Sequence, residues 1–210
     1  MPLDLEEQEQ VAELKAWWNQ HGNLIVSVIL AAAVAFAGWQ GWRWYSASQA
    51  AQAGAVFDSV AKAAQAGDAK ALRDSTGTLI ESYPRTMYAS MGALVAARFH
   101  FDRNDLKSAK AQLEWVVERS RSDDFRDVAR LRLAAILIDE KAYDEALKLL
   151  EAKHAPAYDA QYAALRGDAL VAKNQPAEAR TAYQLALEKA GNQQSAFRES
   201  VRIRLEALGG

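Results

Sequence analysis

Two stretches of this chain align without a gap: LRLAAILIDEKAYDEALKLLE, beginning at Leu131, and ALRGDALVAKNQPAEARTAYQ, beginning at Ala164. The offset is 33 residues, and it pairs Ala134 with Gly167, Leu137 with Leu170, Ala146 with Ala179 and Leu150 with Tyr183. A third copy, GALVAARFHFDRNDLKSAKAQLEWVVE, begins at Gly92 and pairs Ala97 with Ala134 and Ala109 with Ala146, the latter 37 residues apart. The polar stretch Ser120–Arg126 reads as a longer loop that absorbs the extra residues. Small residues at Ala97, Ala134 and Gly167 let the first helix of each hairpin approach the second closely. Ala109, Ala146 and Ala179 do the same from the other side, and Leu113, Leu150 and Tyr183 fill the gap between hairpins.

Polar turns separate the paired helices at Arg103–Asp105, Glu140–Lys141 and Asn174–Gln175. Pro176 follows its turn directly, where a first helical turn tolerates proline. A period near 34 with this small/large alternation is the tetratricopeptide arrangement. A degenerate copy comes first: Phe57, Val60 and Ala64 give one face, Gly67–Asp68 the turn, and Leu72, Leu79 and Ile80 the returning helix, with Pro84 at its end. At the other end Phe197, Val201, Leu205 and Leu208 form one stripe, as expected of a helix that caps an otherwise exposed apolar face.

Ahead of the repeats lies an apolar run, LIVSVILAAAVAFAGW, from Leu24 to Trp39, within 27 positions free of formal charge between Lys15 and Arg43 when His21 is neutral. Leu24 to Trp44 matches the roughly 20 residues that cross a bilayer core of about 30 Å. Trp17 and Trp18 precede it, and Trp39, Trp42, Trp44 and Tyr45 surround its end, as interfacial rings do. A buried core helix would be shorter and more charged. A cleaved signal peptide would carry a basic leader and small residues at its exit. One lysine before the run and one arginine after it leave orientation undecided by charge. Within the run, Ser27, Ala31 and Ala35, and likewise Ala33, Ala37 and Gly41, form small-residue rows that suit close approach of another membrane helix, or simply belong to an alanine-rich span. Val11, Leu14 and Trp18 mark a short helix before the run, with Gly22 and Asn23 suited to ending it.

The expected fold is therefore all-α. It comprises an N-terminal segment (1–23), a transmembrane helix (24–44) and a tetratricopeptide-like right-handed α-solenoid of about four hairpins with a C-terminal capping helix (45–210).

Composition narrows the chemistry. The 210 residues carry a net charge of −2. The leader is acidic (Asp4, Glu6, Glu7, Glu9, Glu13) and the part from Ser46 onward is nearly neutral, so no strongly basic face offers itself to nucleic acid. With no cysteine, disulfides, thiolate catalysis and Cys-ligated metals are excluded, while the compartment stays open. Phosphate-binding glycine loops and zinc-hydrolase or serine-hydrolase motifs are absent. His21, His100 and His154 fall in three separate segments and read as packed or surface residues. No catalytic, cofactor or metal site and no small-molecule substrate is expected. What remains is a surface: Leu94, Arg98 and Phe101, then Leu131, Ala135 and Ile138, occupy inward-type positions, either as an apolar groove for an extended segment or partner helix, or as core residues of a tightly wound stack.

The leader EEQEQVAELKAWWNQHGN, the exit GWRWY and the repeat LRGDAL…AEARTAY, in this order, resemble the YfgM-like ancillary subunits of the SecYEG translocon. The resemblance covers nearly the whole chain. It implies a Gram-negative inner-membrane protein of type II topology, with its N-terminus cytoplasmic and its repeats periplasmic. It further implies partners in the translocon and in a membrane-anchored periplasmic chaperone of the peptidyl-prolyl isomerase class, and a part in handing newly translocated proteins to periplasmic folding factors. A cytoplasmic contact through the leader is also compatible with it. The competing expectation is a scaffold for another cell-envelope assembly.

Overall fold

A computed structural model describes residues 5–191 and 195–209. Asp4 of the acidic leader lies outside them. Among the described residues the chain is helical without strands. It divides into two compact units, Met1–Gln49 and Ala50–Gly210.

The first helix, α1, runs Leu5–Ala66. The break expected at Gly22–Asn23 is not there. Gly22 is buried under the indole of Trp18, one turn earlier, and a Cβ on it would sit 3.0 Å from Trp18 Nε1. The glycine accommodates a tryptophan rather than ending the helix. The apolar stretch of α1 is long and apolar enough to cross a membrane. Leu30 is 65% and Val34 66% exposed, so no other described part of the chain covers that face.

The second unit holds the end of α1 and then α2 (Ala69–Ser82), α3 (Met87–Phe101), α4 (Leu106–Arg119), α5 (Asp123–Asp139), α6 (Tyr143–Leu150), α7 (Asp159–Ala172), α8 (Pro176–Lys189) and α9 (Ser195–Glu206). Among the described residues four hairpins and a capping helix result. Their turns share one design. Gly67, Asn104, Lys141 and Asn174 each adopt positive φ, between 59° and 75°. The next N–H, of Asp68, Asp105, Ala142 and Gln175, donates to the carbonyl five residues back, at 2.8–3.0 Å. The left-handed residue itself donates three residues back, at 2.9–3.3 Å. This is a Schellman stop: it satisfies the last carbonyls of one helix, and the residue after it starts the next. Asp68 and Asp105 cap α2 and α4 through their carboxylates, and Pro176 supplies the first turn of α8.

One detail differs from the expected loop at Ser120–Arg126. Only Ser120–Ser122 link α4 to α5, and residues from Asp123 onward are already helical. Asp123 and Asp124 in the first turn suit the positive end of the helix dipole. The extra residues lengthen α5 instead of a loop.

From α2 onward each helix packs on the next in the chain, and α3 also touches α5, and α5 touches α7, so the first helices of successive hairpins form one layer. The core falls into three consecutive clusters. The first joins Ala53 and Val60 of α1 to Leu72 and Leu79 of α2 and to Ala96 and Phe99 of α3. The second, central cluster holds Ala97, Ala109, Leu113, Ala134, Ala146 and Leu150. The third holds Ala179, Tyr183 and Val201, with Phe197, Leu205 and Leu208 of the capping stripe packed against it. The notched alanines Ala109, Ala146 and Ala179 are fully buried. Arg198 of α9 donates to the carbonyls of Leu187 and Ala190 at 2.6 and 2.8 Å, neutralising the end of α8.

Candidate functional site

The layer of α3, α5 and α7 borders three adjoining concavities, all within Ala50–Gly210. The first, about 480 Å³, has an apolar floor including Phe57, Leu94, Val95 and Phe99, and a rim of Arg98, Arg103, Arg132 and Asp102. The second, about 140 Å³, is lined by Ala97, Arg98, Phe101, Leu113, Arg132, Ala135 and Ile136. The third, about 330 Å³, continues through Leu131, Arg132, Ala135, Leu165 and Asp168 to Phe197 and Arg204. Shared walls join them into one trough, and Arg132 lines all three.

The helix period places these side chains. Leu131, Ala135 and Ile138 recur at i, i+4 and i+7 on α5, and Leu94, Arg98 and Phe101 do the same on α3. Leu94, Arg98, Phe101, Leu131 and Ala135 line the trough. Ile138 lines none of its concavities and packs against the central core. Arg132 escaped the periodic reading because it lies beside Leu131; its i+3 relation to Ala135 is the signal that points to it.

The trough is electropositive. Arg98 Nε holds Asp102 at 2.8 Å. Arg103 lies over the Phe99 ring, 3.5 Å from its centroid, an arrangement the ring quadrupole favours. Arg132 is exposed and has no hydrogen-bond or ion-pair partner among the described residues. At the far end Arg204 holds Asp168 at 2.7 Å, and Tyr183 donates to Asp168 at 2.7 Å.

A second polar cluster sits where α5 meets the α6–α7 connection. Asp127 is 1% exposed. It accepts from Arg130 at 2.9 Å, from the Ala155 N–H at 2.9 Å and from the Tyr162 hydroxyl at 3.2 Å. His154 stacks on Tyr162 with ring centroids 3.9 Å apart. Burial, helped by the Asp127 carboxylate, pushes the Tyr162 hydroxyl up to about 12. Both carboxylate oxygens of Asp127 are engaged in fastening the connection, so the cluster is a lock rather than a poised acid or base. His100 is likewise engaged, its Nδ1 3.0 Å from Asp105, and His21 Nδ1 lies 3.1 Å from the Trp17 carbonyl. Among the described residues no cluster of three or more His, Asp or Glu is suited to a metal ion.

The rows Ser27, Ala31, Ala35 and Ala33, Ala37, Gly41 are exposed on α1. Ser27 Oγ donates to the Asn23 carbonyl at 2.7 Å, and a Cβ on Gly41 would meet nothing within 4 Å.

A stack of notched hairpins bordering an arginine-rimmed trough, in a chain that also holds an exposed apolar helix, describes a helical-repeat protein. The chain belongs to the tetratricopeptide repeat-like domain family, whose model matches residues 15–210. Among curated proteins it is similar to the ancillary SecYEG translocon subunit of Neisseria gonorrhoeae, with 29% identity over 99% of this chain and 100% of the relative. The subunit of the same name from Haemophilus influenzae is 27% identical over 92% of this chain and 94% of the relative. That of Escherichia coli is 26% identical over 85% of each. The resemblance read from the leader, the exit and the repeat is thus borne out. No solved structure matches the chain.

Proposed function

We propose that this protein is a single-pass adaptor of the Sec translocon. Residues 24–44 cross the inner membrane, residues 1–23 stay cytoplasmic, and the repeats, 45–210, stand in the periplasm. There they receive newly translocated segments and pass them to a membrane-anchored chaperone of the peptidyl-prolyl isomerase class. The trough built on Leu94, Arg98, Phe101, Leu131 and Ala135 is the docking surface, and the small-residue rows from Ser27 to Gly41 seat α1 against another membrane helix. The role is binding, not catalysis.

One observation carries this reading: similarity to ancillary translocon subunits spans the apolar helix and the repeats together, not the repeats alone. The test is co-purification. The full-length tagged chain, extracted in mild detergent, is expected to bring down translocon subunits and the isomerase-type chaperone. A reporter fused after Gly210 is expected to be active in the periplasm. Recovery of neither partner, or a cytoplasmic reporter, overturns the reading.

A further inference from the structure

The trough is not a neutral apolar slot. Three guanidinium groups, Arg98, Arg103 and Arg132, and one carboxylate, Asp102, surround its largest concavity. Asp102 is bound to Arg98, and Arg103 is held over Phe99. Arg132 is exposed, with a full planar set of donors and no partner side chain among the described residues. A guanidinium beside apolar walls binds a carboxylate through paired charge-assisted hydrogen bonds, and in a protein segment that carboxylate is an Asp or Glu side chain.

Apolar surface lies on both sides of Arg132. Phe57, Leu94 and Phe99 are on one side, and Leu131, Leu165 and Phe197 on the other. Opposite charges beyond these walls are already matched, since Asp168 is taken by Arg204. A chain ending at Arg132 would fill only half of the trough.

We infer that the trough selects an extended internal segment of a partner protein in which an Asp or Glu side chain meets Arg132, with large apolar side chains flanking it in both directions. This rests on the docking role proposed above and gives it a chemical preference. The carboxylate fixes register, because the unpaired guanidinium is the one strong acceptor-seeking group common to all three concavities. The flanking side chains supply the buried apolar area.

The experiment uses the full-length chain in detergent and fluorescent twelve-residue probes carrying Phe and Leu on both sides of a central Glu. Anisotropy titration is expected to show binding that weakens about tenfold when the central Glu becomes Gln, as loss of one charge-assisted pair predicts. Arg132→Gln is expected to give the same loss and to abolish the difference between the two probes. Arg166→Gln, an exposed arginine outside the trough lining, is expected to leave binding unchanged, and thermal melts of both variants report on folding. A third probe ends in a free carboxylate at the central position, and it is expected to bind more weakly than the internal Glu probe. Equal binding of Glu and Gln probes, preference for the terminal carboxylate, or no binding of any probe overturns the inference. The translocon role is judged separately: Arg132→Gln that still co-purifies the translocon leaves that role standing, whatever the probes do.

Discussion

Tyr183 occupies the space that a side chain at position 167 would need. A Cβ on Gly167 would lie 2.4 Å from Tyr183 Cε1 and 2.5 Å from its Cδ1. In the neighbouring hairpins the same two positions hold Ala134 with Leu150 and Ala97 with Leu113. The repeat therefore conserves the sum of two volumes, not either residue. The tyrosine gains something in return, since its hydroxyl reaches Asp168 at 2.7 Å and Asp168 in turn binds Arg204 of the capping helix.

Gly167→Ala should therefore destabilise the repeats despite the better helix propensity of alanine. The buried ring is tethered by its hydrogen bond, and overpacking of this kind costs about 1–3 kcal/mol. Alanine's propensity recovers up to about 1 kcal/mol. Tyr183→Leu alone leaves a cavity. The double variant reproduces the pairing of the other hairpins, so its loss should be smaller than the two single losses combined by at least about 0.5 kcal/mol. Thermal or urea unfolding of the four proteins closes the cycle, and strict additivity would contradict the volume argument.

The turns give a prediction of opposite sign. Lys141 sits at φ 65° where the other turns have Gly67, Asn104 and Asn174. A residue with a Cβ is strained there by roughly 1–2 kcal/mol. Lys141 is exposed, and its N–H donates to the Ile138 carbonyl at 3.0 Å, a bond that any non-proline residue keeps. Lys141→Gly should stabilise the protein by about 0.5–1 kcal/mol net of glycine's larger chain entropy, and Lys141→Asn by less. A raised melting temperature with unchanged helical content is the expected result.

These two cases also show what a single sequence can and cannot disclose. The alanine notches and the turns were legible because close packing and left-handed backbone restrict residue type at the position itself. The Asp127 lock was not legible. Its partners Arg130, Ala155 and Tyr162 come from two elements and the strand of chain between them, and no local pattern announces that a carboxylate in the first turns of α5 is 1% exposed. Arg132 was missed because a period read from apolar residues skips a charged neighbour. The continuity of α1 was missed because Gly22 has the composition of a stop, while its role depends on the indole of Trp18.

The lock predicts a pH dependence. An unfolded tyrosine releases its proton near pH 10, whereas Tyr162 in the fold is pushed up to about 12, chiefly by burial and then by Asp127. Between these values the unfolded state gains by ionising and the folded state does not. Stability fully present below pH 10 should fall as pH rises through about 12, by about 2–3 kcal/mol from this residue. Tyr183 is raised in the same direction, by burial first and then by its bond to Asp168. Tyr162→Phe lowers stability at neutral pH by removing a donor from Asp127, yet it should lose less between pH 9 and 12 than the parent. Denaturation midpoints measured across that range for both proteins test the difference, and parallel curves would refute it.

The apolar stretch of α1 is open to a direct energetic test. Leu30 and Val34 lie near its middle, 65% and 66% exposed, so neither supports any packing within the protein. If that surface is solvated by hydrocarbon, a lysine at either position costs about 2.5–3.5 kcal/mol for insertion, less what the long side chain recovers by reaching towards the headgroups. One lysine leaves a span this apolar near balance. Leu30→Lys combined with Val34→Lys should move the chain from the carbonate-resistant membrane fraction to the soluble or aggregated fraction. Ala177→Lys, at an exposed site on α8, should leave it in the membrane. The circular dichroism of the repeats should be the same in all three, because the second unit carries its own core clusters from Ala53 to Val201. Retention of the double-lysine chain in the membrane would mean that some other surface holds it there, and the assignment of α1 as the anchor would fail.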